Sequence, residues 1–575
     1  MTNEPHSTST SDPSTPKPLR LWPGVVAAVS LLLCRFGLKR MVDGFEGFSL
    51  GMQTALACAA VVLLWWLFFS RAAWLERLGA IALMAGGLYL TWQLKHDSMG
   101  PLWLVGYAIP WLMVAFVAWA VLSRGLSARA RRASLVATIL LASAGWTLAR
   151  TDGINGDHVA DFGWRWAASP EERLVAEGTL PAATPTQDPG IEHDPLASAP
   201  WPGFRGPRRD GAVPGAQLAA DGSVSPPSEL WRRPVGPGWS SFAVDGERFY
   251  TQEQRGDDEL VSAYDLATGT PVWHHADPIR FFESNAGAGP RGTPAVSGNQ
   301  VAALGATGQL NVLDRRDGRL LWARNVADDT GNAVPEWGYS SSPLLTETAV
   351  VVAAVGQLVA YDRTDGSLRW QAEDGGISYS SPHATTLGGE AQILLQHGDG
   401  VVAVDPEDGT LLWQHAWGGF PMTQPELIDD RALLLAASSA SGVRRLEVTR
   451  GESGWTAEER WTSLKLKPYF NHFVIHEGHA YGFDNRILAA IDLETGERVW
   501  KGGRYGHGQL ILIPDQDLLL VLSEKGEIVL VRAKPSGHEE LARMPAIEGK
   551  TWNHPVLVGD LLLVRNAREM AAFRF

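Results

Sequence analysis

The sequence predicts an N-terminal α-helical transmembrane region followed by an all-β eight-bladed propeller, closed by a blade shared between the ends of the domain. Two observations lead to this fold class. Five apolar runs lie within the first 150 residues. Beyond them, a short motif that ends in tryptophan recurs at the spacing of a four-stranded blade.

Charge divides the chain in the same way. Residues 1–150 contain 13 Lys and Arg against 6 Asp and Glu, and the remainder contains 36 against 57, a net charge of −21. An acidic domain repels phosphate backbones, so nucleic acid is not expected as a partner. The only cysteines, Cys34 and Cys58, lie in apolar runs. The soluble part can therefore build neither a disulfide framework nor a thiolate metal site.

The apolar runs predict a membrane domain of about five transmembrane helices in residues 21–150. The middle three are long enough to cross roughly 30 Å of hydrocarbon, and the first and last are marginal. Arg35 interrupts the first run. The runs lie near residues 21–38, 51–70, 78–94, 101–122 and 133–149.

Lys and Arg in the short loops predict the orientation, because positive charge is retained on the cytoplasmic side. With the N-terminus inside, about eight positive residues face the cytoplasm and about five face outward, and the cluster Arg124–Arg132 weighs most. The helices would then contact membrane lipid in the cytoplasmic (inner) membrane. The propeller would lie on the periplasmic side.

Two non-repetitive stretches flank this membrane domain. Residues 1–20, rich in Ser, Thr and Pro, predict a disordered cytoplasmic tail. Residues 151–224 predict an extended linker, because residues 178–200 are rich in Pro and Ala. The propeller is predicted over residues 225–575.

One motif defines the blades. It reads Ala-Tyr-Asp-Leu-Ala-Thr-Gly-Thr-Pro-Val-Trp at Ala263–Trp273 and recurs at Ala360–Trp370 and Ala403–Trp413, with close copies at Asp314–Trp322 and Ala490–Trp500. Each copy is typical of a strand, a tight turn in which Gly supplies positive φ, and a second strand closed by Trp. The small residues leave room for an indole of the neighbouring blade. We therefore expect the tryptophans to dock blades and not to hold a cofactor.

The spacing of these tryptophans, 39–49 residues, is the length of a four-stranded blade. Leu541 continues the series in a weaker copy, and the last copy, Met570–Phe575, contains the first half of the motif. The missing half is Glu229–Trp231, at the start of the domain. A blade built from both ends removes an exposed sheet edge and gives eight blades. The series comprises Trp231, Trp273, Trp322, Trp370, Trp413, Trp461 and Trp500.

The repeat resembles the tryptophan-docking motif of the pyrroloquinoline-quinone (PQQ) dehydrogenases and of BamB-type outer-membrane assembly factors, over residues 225–575. The helices ahead of it resemble membrane-bound glucose dehydrogenase, in which several spans precede a periplasmic propeller. Trp201–Pro207 and Asn566–Ala572 resemble bacterial proteins named PQQ-like or BamB-like. For an enzyme, the resemblance implies PQQ with Ca²⁺ as cofactor.

The sequence departs from the quinoprotein enzymes at the residues that carry chemistry. Alcohol-oxidising members have adjacent cysteines beside the cofactor, and this soluble part has none, although glucose dehydrogenases also lack them. Those enzymes also use an Asp base and a Glu, Asn and Asp set on Ca²⁺. The acidic residues nearest the predicted mouth, Glu283, Glu336 and Asp374, are not paired by the repeat. No catalytic residue is assigned.

Equivalent loops of all blades converge where the innermost strands begin, so this mouth of the central channel is the expected site. Aligning the repeats there gives eight polar residues. Three are histidines of consecutive blades, which could bind a transition metal, hydrogen-bond a quinone or anionic group, or only line a water-filled channel. The eight are Ser241, Thr293, Ser342, Ser381, Gln424, His472, His507 and His554.

The predicted cofactor-binding residues are these histidines and neighbouring side chains that can hydrogen-bond or stack on a flat ligand. No metal ligands are assigned. The set is His472, His507, His554, Asn471, Asn553, Arg291, Tyr339 and Trp552.

Two functions remain open at this point. The first is a non-catalytic ligand-binding or scaffolding module that is tethered to the membrane and presents its propeller mouth to a small molecule or a protein. The alternative is a PQQ-dependent dehydrogenase that oxidises a sugar or alcohol and delivers electrons to membrane quinone.

Overall fold

The computed structural model describes residues 19–38, 44–156, 159–178, 200–220, 223–224, 226–438, 440–452 and 454–575. The chain divides into two compact units, Met1–Ala167 and Ala168–Phe575. Except for Leu19 and Arg20, the tail predicted over residues 1–20 lies outside the described residues.

Helices occupy all five apolar runs of the first unit. Two of them contain a π-helical turn, at Trp65–Phe69 and at Leu104–Ala108. The α-helical segments are Trp22–Gly37, Gly44–Leu64, Trp74–Leu94, Pro101–Trp103, Ile109–Leu122 and Ala128–Ala144, with short 3-10 turns at Ser123–Gly125 and Gly145–Leu148.

Among the described residues, the helical stretches Gly47–Phe69 and Pro101–Gly125 are long and apolar enough to cross a membrane, and Trp22–Gly37 is apolar but shorter. Arg35, which interrupts the first run, is buried within this unit. Its Nε donates to the Gly106 carbonyl at 2.9 Å, so the buried guanidinium has a hydrogen-bond acceptor on a neighbouring helix.

The expected extended linker, residues 151–224, is folded in three places, and this part of the prediction is corrected. The strands Ala149–Ile154 and Ala160–Trp164 form a hairpin in the first unit. A helix spans Pro170–Ala176 in the second unit. Residues 201–218 bury apolar side chains in the propeller core.

Local chemistry explains these differences. Ser169 and Glu172 form a reciprocal capping box at the start of the short helix. Trp201 and Leu218 contribute large apolar surfaces whose burial is favourable. The Pro- and Ala-rich residues that suggested an extended chain lie mostly in 179–199, outside the described residues.

The second unit is the predicted all-β eight-bladed propeller. The structure, as far as it is described, contains eight four-stranded antiparallel sheets. The strands of blade 1 are Ala243–Asp245, Arg248–Arg255, Asp258–Asp265 and Pro271–Asp277. Those of blade 2 are Ala295–Ser297, Gln300–Leu304, Gln309–Asp314 and Leu320–Asn325. Those of blade 3 are Leu344–Leu345, Ala349–Ala354, Gln357–Asp362 and Leu368–Gln371.

The next three blades repeat the pattern. The strands of blade 4 are His383–Leu387, Glu390–His397, Gly400–Val404 and Leu411–Ala416. Those of blade 5 are Glu426–Leu427, Ala432–Ser438, Gly442–Gly451 and Gly454–Ser463. Those of blade 6 are Val474–His476, His479–Asp484, Ile487–Asp492 and Arg498–Arg504.

The strands of blade 7 are Gln509–Ile513, Leu518–Leu522, Glu527–Arg532 and Glu540–Pro545. Those of blade 8 are Val556–Val558, Leu561–Arg565, Glu569–Arg574 and Ser228–Pro234. Smaller elements are the two-residue strand pairs Ala219–Ala220 with Ser223–Val224 and Phe282–Glu283 with Gly287–Ala288, the helix Val326–Thr330 and a 3-10 turn Pro514–Gln516.

Blade 8 combines strands from the two ends of the domain. Trp231 lies opposite Ala572 in an antiparallel pairing. The fully buried Arg565 of this blade also reaches blade 1, donating from Nη1 to the Gln252 carbonyl at 2.9 Å and from Nη2 to the Gly236 carbonyl at 3.0 Å. Charge-assisted hydrogen bonds of this kind hold the last blade to the first.

The docking function predicted for the tryptophans is confirmed in detail. Six of the seven indoles donate Nε1–H to a backbone carbonyl in the turn of the next blade. The indole also covers the glycine of that turn: a Cβ on Gly269 would lie 2.6 Å from Trp231. Gly269 has φ of 66°, a conformation that also favours glycine.

Trp413 is the exception, and blade 5 explains it. Its Nε1 donates to Gln392 Oε1 of its own blade at 2.8 Å. The corresponding turn of blade 5 lacks the Asp-Gly motif, and the two strands that flank it extend to ten residues each. Trp413 therefore does not dock on a backbone carbonyl of blade 5, because the turn there lacks the repeat motif.

Replacing Gly269 with Ala tests the docking. We expect an unfolding free energy lower by about 2–4 kcal/mol, since Ala is strained at positive φ and its Cβ overlaps the Trp231 indole. Gly331→Ala is the matched control, because Gly331 has φ of 73° with nothing within 4 Å of an added Cβ. Chemical denaturation of the full chain in detergent measures both. Equal losses in the two variants would contradict docking at this turn.

Candidate functional site

The eight aligned polar residues all occupy equivalent places in the propeller. Each lies two residues before the first strand of its blade, at the end of the channel that we call the mouth. First strands contact each other between blades 1 and 2, 2 and 3, 5 and 6, and 6 and 7, which is the arrangement of innermost strands around a channel. The alignment made from the sequence therefore selects one structural position.

Most of these side chains brace adjacent blades. Thr293 Oγ1 accepts from the Ser241 backbone N–H at 2.9 Å, and Ser342 Oγ accepts from the Thr293 N–H at 2.9 Å. Ser381 Oγ accepts from the Ser342 backbone N–H, also at 2.9 Å. Such hydrogen bonds satisfy buried backbone groups that would otherwise be costly to desolvate.

The structure brings His472 and His554 together. Their ring centroids lie 5.2 Å apart, and the Phe204 ring meets both edge-on, at 5.3 and 5.0 Å. His472 Nε2 accepts from the Gln424 backbone N–H at 3.0 Å, so its proton is on Nδ1. Burial, together with the nearby Arg205 cation, lowers the pKa of both histidines well below the usual range. Both rings are neutral at physiological pH.

His507 has different neighbours. Its ring stacks on Phe470 with the centroids 5.6 Å apart, and Tyr469 lies 6.0 Å away. Its backbone N–H donates to Glu524 Oε2 at 3.1 Å.

Four of the other predicted ligand-binding residues are used to hold the loops of the mouth. Asn471 Nδ2 donates to the Gly508 carbonyl at 2.9 Å, and Asn553 Nδ2 donates to the Ser240 carbonyl at 2.7 Å, each to the following blade. Tyr339 is buried, and its hydroxyl donates to the Asn332 carbonyl at 3.4 Å. Arg291 donates to the Gly289 carbonyl at 2.8 Å and to Glu283 at 3.2 Å.

Glu283 is correspondingly unsuited to act as a base. Its oxygens accept from the Asn285 and Ala286 backbone N–H groups at 2.7 and 2.6 Å, besides Arg291. The other two acidic candidates, Glu336 and Asp374, are exposed. The three carboxylates of the sequence prediction therefore do not form a shared ligand set.

Trp552 belongs to one of two aromatic clusters at the mouth. Its ring lies 4.8 Å from Trp239 and 5.0 Å from Phe470. In the second cluster, Trp337 lies 5.1 Å from Tyr379 and 5.4 Å from Phe420. Except for Tyr379, these rings are half-buried and leave part of their surface at the mouth.

A segment that no sequence pattern predicted lies inside the channel. We call residues 201–213 the plug. Its backbone hydrogen-bonds to three blades. Trp201 pairs with Val244 of blade 1, and the Val296 N–H of blade 2 donates to the Pro202 carbonyl. The Val213 N–H donates to the Leu512 carbonyl of blade 7 at 2.8 Å. Phe204 of the plug reaches the His472–His554 pair and forms the floor of the mouth.

Two arginines fix the plug inside the channel. Arg205 is fully buried, ion-paired with Glu426 of blade 5, and donates to the Phe473 carbonyl of blade 6 at 2.9 Å. Arg209 donates to the Ser342 and Pro343 carbonyls of blade 3, both at 3.0 Å. Burial lowers the pKa of each guanidinium to about 9, so both remain charged at neutral pH.

Glu259 is a buried carboxylate that no sequence pattern predicted. It opens the third strand of blade 1, is buried, and accepts from the Ala306 N–H of blade 2 at 3.2 Å. Burial raises its pKa to about 7. No sequence signal separates it from Asp257 and Asp258, which precede it and are exposed.

The family comparison agrees with this geometry. The repeat model described as outer membrane protein assembly factor BamB matches residues 223–336 and 257–502. Over residues 223–502 the propeller is therefore similar to BamB-like propellers of the PQQ-like repeat type. No curated protein sequence matches the chain.

Three solved structures illustrate what the chain is similar to. BamB from Moraxella catarrhalis is 16% identical with a TM-score of 0.46, covering 61% of this chain and 98% of that chain. Quinohemoprotein alcohol dehydrogenase ADHIIG from Pseudomonas putida HK5 is 12% identical with a TM-score of 0.49, covering 65% and 80%. The computationally designed Ika8 protein is 10% identical with a TM-score of 0.44, covering 60% and 100%.

Removing the Arg205 cation from the propeller tests the plug. We expect Arg205→Met to cost about 3–5 kcal/mol of unfolding free energy, because Glu426 is left buried and unpaired. The double variant with Glu426→Leu should recover part of this loss. Arg208→Met, at an exposed neighbour, is the control and should change stability by less than about 0.5 kcal/mol. Equal effects of Arg205→Met and Arg208→Met would contradict a plug held by this ion pair.

Glu259 predicts a pH dependence of stability. Its pKa is raised from 4.5 to about 7 in the folded state, so its contribution is lost as the pH rises between these values. Glu259→Gln should remove this titration and be more stable than the parent above pH 7, by up to about 3 kcal/mol. Denaturation midpoints from pH 4.5 to 8.5 measure it, with the exposed Glu247→Gln as control. A profile that is the same in both variants would contradict the raised pKa.

Proposed function

We propose that this protein is a membrane-tethered propeller that binds a ligand or partner protein at its mouth, on the periplasmic face of the cytoplasmic membrane. It does so without catalysing a reaction. The observation that carries the proposal is the use of the polar groups at the mouth to hold blades and loops, while half-buried aromatic rings remain available for contact.

The first unit supports the tether. Gly47–Phe69 and Pro101–Gly125 are apolar over the length needed to span a membrane. Arg124, Arg129, Arg131 and Arg132 follow the second stretch and favour a cytoplasmic loop there. One further crossing by the helix Ala128–Ala144 would bring the chain to the periplasmic side before the propeller begins.

The described residues do not fit PQQ with Ca²⁺ well. Calcium takes six to eight oxygen ligands, usually several carboxylates. Within the described part of the chain, the group of three His, Asp or Glu side chains close enough to share an ion is His476, Glu477 and Asp517. It lies at the end of the channel opposite the mouth, because it follows the first strands.

The mouth itself is suited to binding. Phe204 forms an apolar floor, and aromatic clusters from blades on opposite sides of the channel provide walls. Rings of this kind bury large areas and carry much of the free energy of binding interfaces. The same walls could stack on a flat quinone, which is the observation that favours the alternative, a PQQ-dependent dehydrogenase acting on sugars or alcohols.

Reconstitution separates the two functions. The full chain should be recovered from membranes with detergent, and, with PQQ and Ca²⁺ added, it should reduce no dye with any of a panel of sugars and alcohols. A membrane-bound glucose dehydrogenase treated in parallel provides the positive control. Stoichiometric quinone binding with turnover would contradict the non-catalytic proposal and establish the alternative.

A further inference from the structure

At the end of the channel opposite the mouth, blades 6 and 7 approach each other through two tight turns. His476 ends the first strand of blade 6, and Glu477 and Gly478 form a two-residue turn in which both have positive φ, 45° and 77°. In blade 7, Asp517 follows the 3-10 turn Pro514–Gln516 and has φ of 49°. Both turns present polar side chains at the same seam.

The side chains of the seam converge. His476 Nε2 lies 2.8 Å from Asp517 Oδ1. One ligand atom from each of His476, Glu477 and Asp517 lies within 4.8 Å of the others. We propose that these three residues form a binding site for a divalent transition-metal ion of the zinc type, which bridges blades 6 and 7. This proposal does not depend on the function of the mouth.

The ligand chemistry selects the ion. One imidazole nitrogen with two carboxylate oxygens is a donor set that suits Zn²⁺ or Co²⁺ and is poor for Ca²⁺ or Mg²⁺, which prefer oxygen alone. Three protein ligands leave a position for water. The site is reachable, because Glu477 is exposed and the Asp517 side chain is 29% exposed.

The charges around the site are consistent with this proposal. Lys534 lies 3.2 Å from Asp517 Oδ2 and is half exposed, so it can move into solvent when an ion arrives. Two carboxylates against one lysine leave a net negative charge that a divalent ion would neutralise.

A buried hydroxyl beneath the seam is an independent observation. Tyr481 shares the sheet face of His476, since Val474 pairs with Tyr481 and His476 pairs with His479. Its hydroxyl is buried and has no hydrogen-bond partner among the described residues. The Tyr481 ring also lies 6.3 Å from the ring of His479, the cross-strand partner of His476. A water bound to the ion could accept a hydrogen bond from the Tyr481 hydroxyl.

Metal titration of the chelator-treated, tag-free full chain in detergent tests the site. Calorimetry with Zn²⁺ should show one ion per chain, and Co²⁺ should give visible absorption bands of a low-symmetry site. Binding should raise the thermal midpoint, because the ion binds the folded state. Glu477→Gln and His476→Ala should each weaken Zn²⁺ binding at least tenfold.

Two features of the design keep the result clear. Glu477 is exposed in a turn, so Glu477→Gln changes a ligand without removing core packing. His415→Ala is the matched control, since His415 is a half-buried histidine of blade 4 that contacts the Ala457 carbonyl and Arg444. Absence of stoichiometric Zn²⁺ binding, or equal affinity in the parent, Glu477→Gln and His476→Ala, would overturn the proposal. Loss of affinity in His415→Ala would also overturn it.

Discussion

The fold depends on the docking of one indole onto the glycine turn of the next blade. A four-stranded sheet cannot bury both faces alone, so each blade is stable only against its neighbours. The Trp273 indole covers the turn at Gly318 and donates to the Arg315 carbonyl, and the same contact recurs around the ring. The pairing of Trp231 with Ala572 completes the last blade with a strand from the start of the domain.

The plug determines which side chains lie inside the channel. Arg205 and Arg209 bring two cations into a space lined by backbone carbonyls and by Glu426, and the Phe204 ring packs edge-on against the rings of His472 and His554. Buried cations need this degree of hydrogen bonding to be tolerated. This segment ahead of the first blade is therefore part of the propeller core.

At the mouth, the polar ring and the aromatic rings have separate functions. Hydroxyls such as Thr293 and Ser342 are buried and accept from backbone N–H groups of adjacent blades, so they join the blades. Trp552 and Trp337 stand on different blades, with part of each ring exposed. Recognition at this mouth would therefore depend on shape and stacking more than on ionised groups.

The sequence by itself determined the elements that repeat. The period of Trp, Gly and Asp predicted the blades, the docking contact and the aligned position of His472, since each follows from local turn geometry and regular spacing. Tertiary structure decided what does not repeat. The plug at Phe204 and Arg205 and the burial of Glu259 depend on contacts between residues distant in the chain, and composition or periodicity carries no record of such contacts.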